Sequence, residues 1–390
     1  MYRHFITFYV ATSFISMSFA ARGWIISKRN VLRVPASAAF QSFPRYPSKS
    51  IFTPIVSTTR LFSGVTKKDI AETPLFKDAP HLLNGLDTYS IQAEDGHPLS
   101  IYGIQSNVTE LECNRKPILL LHGRTWSAVP VYHLLGGKNA SEKQHSRSLM
   151  ESMYENGMQP YAMDFRGFGG TPSDETDQVI PSRCVADVEC ALKWIIDRHN
   201  LDGNHLPALL GWSQGALVAQ LFVQTRAQLV SKLILYGSIY DPLVRYPRVP
   251  LFVNGENVDH PVRMKNTFNA AIEDFTVEGS IPPDAAIEFA EAALKSDPYK
   301  AQWKYLCQFN NLDPARVHVP TLVVAGDKDP YAPLRVQADL FTNLGRGADR
   351  TWSIIADADH AVHMLDSGKD RFLSIVKSFI ENSKRGQSVP

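Results

Sequence analysis

The sequence predicts an α/β protein, a mostly parallel central sheet flanked by helices and interrupted by a helical insertion. Three observations carry that prediction. Short, continuous apolar runs recur between residues 116 and 356, as strands buried on both faces should read. Stretches of helical period separate them, and alternating strand and helix builds a parallel sheet covered on both sides. Residues 243–312 break the rhythm, with no convincing strand.

Taken in order, Asp87 to Tyr102 alternates polar and apolar residues and reads as an antiparallel hairpin at the sheet edge. Lys116-Pro117-Ile118-Leu119-Leu120-Leu121 is the first parallel strand and ends in His122-Gly123. Gln159 to Phe165 is the second, closed by Arg166-Gly167-Phe168-Gly169-Gly170. Pro207 to Leu210, Lys232 to Ile239, Pro320 to Ala325 and Thr351 to Ala356 follow. Helical patterns fall at Ser146 to Glu155, Cys184 to His199 and Ala216 to Val230, the last with Leu217, Val218, Leu221 and Phe222 on one stripe. The insertion opens Pro-rich, then reads as helical around Phe268 to Phe275 and Asp284 to Leu294, with Pro282-Pro283 as a start signal. An insertion at the carboxyl edge of the strands covers the crevice where open α/β sheets bind ligands. The core is therefore expected over 86–242 and 313–386, and a helical cap over 243–312.

Of the 390 residues 44% are apolar and 20% charged, which excludes disordered and collagen-like chains. The four cysteines, Cys113, Cys184, Cys190 and Cys307, form no C-x-x-C pair and no metal spacing with His. They read as buried, reduced thiols, and no metal or cofactor is expected. The net charge of +1 hides an asymmetry: residues 1–68 carry ten Lys/Arg and no acid, leaving the other 322 residues with 30 basic and 39 acidic side chains, a net of −9. A body of that sign repels phosphate backbones, so no nucleic-acid partner is expected.

Residues 1–68 read as a targeting segment, cleaved or disordered, outside the fold. Phe5 to Ala21 is an apolar run ending in Ser18-Phe19-Ala20, with small residues spaced as at a signal-peptidase site. Residues 22–68 are rich in Arg and Ser and free of acids, the composition of an organellar transit peptide. Thr59-Arg60-Leu61-Phe62-Ser63 resembles the end of a mitochondrial presequence, and Ala36-Ser37-Ala38-Ala39-Phe40 the cleavage motif of a bipartite plastid leader. The expected address is an organelle, mitochondrion or plastid. The alternative is the secretory route or a membrane anchor, with membrane contact only if the apolar run is retained.

The strongest chemical motif is Gly211-Trp212-Ser213-Gln214-Gly215, after a strand and before the apolar-striped helix. In that setting G-x-S-x-G is a nucleophile elbow. Its turn admits only small residues beside the Ser, and it lifts the hydroxyl to a helix N-terminus of partial positive charge. The bland reading is a Gly-Ser loop. A serine hydroxyl needs a base, and the base an orienting acid. The C-terminal strand ends supply candidates for both: Asp327 and Asp329 after one strand, then Asp357, Asp359, His360 and His363 after the next. Competing motifs fail, since Pro172 occupies the third Gly position of a dinucleotide loop and no H-E-x-x-H occurs.

On these motifs, and on their order Ser, Asp, His, the chain resembles the α/β-hydrolase superfamily over roughly residues 86–386, in its lidded branch with a serine nucleophile. The resemblance implies Ser213 as nucleophile, Asp329 as the acid three positions beyond the strand-ending Gly, and His360 as the base. It leaves Asp327 as a turn residue, His363 as structural, and Asp357 and Asp359 as solvated loop acids. It implies an oxyanion hole from the backbone N–H groups of Gln214 and of Arg124, the latter within His122-Gly123-Arg124-Thr125-Trp126. His122 then shapes the hole, and Arg124 either meets an acidic substrate group or lies on the surface. Asp164 to Thr171 resembles a structural turn of the family.

The implied activity is serine hydrolysis through an acyl-enzyme, on a small to medium carboxylic ester or thioester; carbon–carbon bond hydrolysis uses a similar triad. The alternative is a ligand-binding protein on the same fold. The partner in either case is a small molecule. Phe252, Phe268, Phe275, Phe289, Tyr299, Trp303, Tyr305 and Phe309 of the insertion are expected to be mostly cap core, a few lining an apolar acyl pocket.

Overall fold

Among the described residues eight strands form one sheet: β1 (Leu86–Gln92), β2 (Pro98–Ile104), β3 (Lys116–Leu121), β4 (Met158–Met163), β5 (Ala208–Trp212), β6 (Lys232–Tyr236), β7 (Thr321–Gly326) and β8 (Arg350–Ile355). Their order is β1-β2-β4-β3-β5-β6-β7-β8. β2 pairs antiparallel with both β1 and β4, and all other pairs are parallel. The expected hairpin is thus the sheet edge, with Tyr89 opposite Ile101. The computed structural model describes residues 78–105, 115–135, 146–203, 205–241 and 263–382. All lie in one compact unit, Leu61–Pro390; a first unit, Met1–Arg60, and with it the sequence reading of residues 1–68, falls outside the described residues.

Strands buried on both faces split their side chains by parity. Ile118, Leu120, Leu210, Ile234 and Val324 join one apolar layer. Leu119, Leu121, Leu209, Leu233 and Val323 join the other. The first layer is covered by α1 (Ala128–Tyr132), α2 (Leu149–Glu155) and the last helix, through residues such as Val129, Met153 and Phe372. The second is covered by α3 (Pro181–Arg198) and α4 (Gln214–Arg226), through residues such as Val188, Leu192, Leu217 and Phe222. In the insertion lie α5 (Phe268–Ile272) and α6 (Pro283–Ser296); α7 (Leu334–Asn343) and α8 (Lys369–Glu381) complete the fold.

Element ends differ from expectation where backbone chemistry intervenes. α3 begins at Pro181, a proline in its first turn, three residues before the apolar pattern suggests. α2 begins at Leu149 because the Ser148 hydroxyl caps it, accepting from Glu151 N–H at 3.0 Å. β6 stops at Tyr236, since Gly237 at φ +51° leaves the strand.

Two packing expectations are corrected. Cys184 is buried, but Cys190 is half-buried and Cys307 exposed, all three free; Cys113 lies outside the described residues. A six-residue step on α3 turns about 240° from the buried stripe, which carries Cys190 to its edge. Of the insertion aromatics, Phe289, Trp303 and Phe309 are buried and Phe275 is half-buried, whereas Phe268, Tyr299 and Tyr305 are exposed. Those three sit on one-turn or irregular segments that offer no continuous stripe to bury; Phe252 lies outside the described residues. The described part of the insertion has no separate apolar layer. Phe289, Ala290 and Ala293 of α6 share the layer of Trp126 and Val129, and Trp303 and Phe309 share the opposite one.

Candidate active site

β5 ends at Trp212 and α4 starts at Gln214, so one residue, Ser213, makes the whole reversal. Its backbone sits at φ 57°, ψ −120°, a region that residues with a side chain rarely adopt. Space explains the flanking glycines. A Cβ on Gly211 would lie 2.4 Å from Gly215 O, and one on Gly215 would lie 2.4 Å from His122 O. Ser213 N–H donates to Tyr236 O at 2.9 Å, extending the β5–β6 ladder by one residue.

The other two predicted residues meet directly. Asp329, three residues beyond the end of β7, accepts on Oδ1 from Tyr331 N–H (2.8 Å) and Ala332 N–H (2.9 Å). Its Oδ2 lies 2.7 Å from His360 Nδ1. A carboxylate only accepts, so Nδ1 carries the imidazole proton and Nε2 is left as a base. Ser213, Asp329 and His360 are 8%, 5% and 7% exposed, so the group is nearly closed to water. The elbow is joined to it through Trp212, whose indole N–H donates to His360 O at 2.9 Å and whose ring lies 5.3 Å from the imidazole. Gly237 borders the same ring: a Cβ there would lie 3.2 Å from His360 Nδ1. Tyr331 packs edge-on against it at 5.1 Å.

The loop after β3 lies alongside. A Cβ on Gly123 would be 3.2 Å from Ser213 Cβ, which puts the loop against the elbow one residue before Arg124. Gln214 is buried as the first residue of α4, where an N–H has no acceptor within the helix. His122 is fully buried; its Nδ1 donates to Gly123 O (3.0 Å) and its Nε2 accepts from Phe165 N–H (3.1 Å). Burial lowers its pKa to about 3, so it holds the loop as a neutral ring. Arg124 is exposed, with Nη1 donating to Gln214 Oε1 at 3.4 Å. Among the described residues no cluster of His, Cys, Asp and Glu could hold a metal ion.

Residues 112–367, more than half of the chain, match the family model described as serine aminopeptidase, S33. The chain belongs to the S33 family. It is an α/β-fold serine hydrolase. Solved structures resemble this S33 chain in fold. A serine hydrolase involved in carbazole degradation is 19% identical with a TM-score of 0.53, covering 76% of this chain and 98% of its own. A bacterial membrane phospholipase A is 15% identical with a TM-score of 0.52, covering 78% and 90%. Carboxylesterase CesB from Bacillus subtilis is 12% identical with a TM-score of 0.52, covering 78% and 95%. No curated protein matches the chain.

Around this candidate site of the S33 chain the remaining acids and histidine separate clearly. Asp327 is exposed and accepts weakly from Ala358 N–H (3.4 Å). Asp357 is exposed and paired with Lys328 at 2.7 Å, which lowers its pKa. His363 is buried, with Nε2 donating to Val131 O (2.8 Å) and Nδ1 accepting from the Tyr236 hydroxyl (2.9 Å). Burial lowers its pKa to about 4. Asp359 corrects the sequence reading: it is wholly buried, not a solvated loop acid. Its Oδ2 accepts from Thr276 N–H (2.8 Å) and its Oδ1 from Ala361 N–H (3.0 Å). That first partner is 83 residues away, so no local pattern announces it. Asp274, Asp297 and Trp303 also reach this region, and no motif marks any of them.

Proposed function

We propose that this protein hydrolyses small to medium carboxylic esters or thioesters through an acyl-enzyme on Ser213. The observation that carries the reading is the strained serine, tied by its neighbouring Trp212 to a buried Asp329–His360 hydrogen bond. His360 Nε2 takes the Ser213 proton as Oγ attacks the carbonyl carbon, and the Gln214 and Arg124 N–H groups take the negative charge on oxygen. Collapse breaks the bond to the leaving alcohol or thiol, which receives the proton from His360. Water then repeats the sequence on the acyl-enzyme and releases the acid. Near-complete burial of Ser213 and His360 favours a small acyl group over a polypeptide threading the site. Ester chemistry is also what the names of two fold neighbours, a phospholipase and a carboxylesterase, denote.

The test treats the full chain with a fluorophosphonate and reads intact mass, beside turnover of p-nitrophenyl butyrate. One adduct per chain, repeated turnover, and neither in Ser213→Ala is the expected result. A folded parent without adduct, or an adduct that persists in Ser213→Ala, overturns the reading.

A further inference from the structure

The loop between β3 and α1, residues 122–127, has no regular structure to hold it. Its polar groups therefore depend on partners from other segments. Arg124 C=O accepts from the Trp303 indole N–H at 3.0 Å. Trp126 Nε1–H donates to Asp274 Oδ2 at 2.6 Å. Ser127 N–H donates to Asp297 Oδ2 at 2.7 Å. All three partners belong to the insertion, far along the chain.

Two of these partners, Trp303 and Asp297, are themselves held. Trp303 packs edge-on against Phe165 at 6.0 Å, and the backbone on either side of it is bonded to Val179, through Gln302 O and Lys304 N at 2.9 Å each. Asp297 is buried and also accepts Gly169 N–H at 3.0 Å. Asp164, equally buried, accepts Ala128 N–H (2.7 Å) and Gly170 N–H (2.9 Å). The two acids thus each grip one N–H of the loop's end and one of the turn after β4. Burying two carboxylates together is costly unless every oxygen is well bonded. The same stretch of insertion also grips the histidine loop, through Thr276 N–H on Asp359.

We propose that the insertion assembles the oxyanion hole, with Trp303 and Asp297 as positioning residues for the N–H of Arg124. Holding Arg124 C=O fixes the peptide plane on one side of its Cα, and Ser127 anchors the loop beyond it. The N–H of Arg124 lies in the other plane, with Gly123 C=O, which His122 Nδ1 holds at 3.0 Å; with both planes held, that N–H keeps one aim, toward the elbow. Strain on these anchors lowers transition-state stabilisation and leaves substrate binding alone. The inference rests on the acyl-enzyme reading above.

The test uses the full chain as Trp303→Phe, which keeps an aromatic ring, smaller than the indole, and removes the donor, and Asp297→Asn, which keeps the shape and leaves one acceptor for two N–H groups. Phe309→Leu, a buried substitution in the same insertion at a side chain that carries no hydrogen-bonding group, is the control. Fluorophosphonate labelling gives a rate constant, set by the oxyanion hole, and an amplitude, set by the folded fraction. Both test variants are expected to lower the labelling rate constant and kcat by about tenfold, less than the 10²–10³ for losing a donor outright. Amplitude should stay at one adduct per chain and KM within about twofold, since no substrate-binding contact is lost. The control should alter neither rate. Unchanged rate constants in Trp303→Phe and Asp297→Asn, or an equal fall in Phe309→Leu, overturn the inference while leaving the acyl-enzyme standing. A parent that takes no adduct overturns both.

Discussion

Ser213, the nucleophile of the proposed reaction, sits on a backbone conformation that works against stability. Its positive-φ backbone costs on the order of 1–3 kcal/mol for any residue with a Cβ. Ser213→Gly is therefore expected to raise stability by about 1 kcal/mol while abolishing turnover, read as an increased urea midpoint at unchanged slope. A lowered midpoint would mean that the serine side chain stabilises the turn. Asp329 has the opposite character, because its two oxygens are committed to two backbone N–H groups and to His360. Asp329→Asn keeps the shape but presents an amide to Nδ1, so kcat should fall by about 10⁴ as the imidazole loses its working tautomer. A loss below tenfold would remove Asp329 from the proposed role.

At the scale of elements, the β5–elbow–α4 unit works only because strand, helix and the neighbouring loop approach within van der Waals contact. Gly215→Ala would force a methyl to 2.4 Å from His122 O, a backbone atom that cannot step aside. A cost of about 1–3 kcal/mol or more is expected, with loss of activity. At Gly123 the nearest atom would be Ser213 Cβ at 3.2 Å, a milder conflict, and Gly123→Ala should cost less. Paired denaturation curves decide the matter, and equal costs would refute the packing argument. The described part of the insertion likewise packs into the core, since α6 and Trp303 share the apolar layers of the sheet.

For the whole molecule, buried titratable groups pull stability in opposite directions with pH. Burial raises Asp297 to about 7 and Asp164 to about 6. Stability from such raised carboxyls is fully present below the ordinary carboxylate value and is lost as pH rises through 6–7. His122 and His363, lowered to about 3 and 4, act inversely: their contribution is present above the ordinary imidazole value and is lost as pH falls toward 4. Asp297→Asn removes the Asp297 share of the first effect and leaves the histidine effect in place. Its stability deficit against the parent should be larger at pH 5 than at pH 8, and a deficit that grows with pH would contradict the assignment. The chain's charge asymmetry leads to a separate proposal: ten basic and no acidic residues in the first 68, ahead of a net −9 body, make that segment an organellar address. A fluorescent protein fused behind residues 1–68 should enter mitochondria or plastids, and a cytosolic signal would end that reading.

The features legible in the sequence are those whose causes lie within a few residues. Strand–helix alternation, the small-residue elbow at Ser213 and the hairpin at Asp87 to Tyr102 are local consequences of periodicity and turn sterics. Asp329 and His360 were separable from Asp327 and His363 only through family resemblance, because four acids and two histidines share two short loops and nothing local ranks them. Tertiary structure alone decided what Asp359, Asp297 and Trp303 do, since their partners lie 83, 170 and 179 residues away. It also decided that Cys307 and Tyr305 are exposed. A hydrogen bond between distant segments depends on where the whole sheet brings them, and pattern along a chain carries no record of that distance.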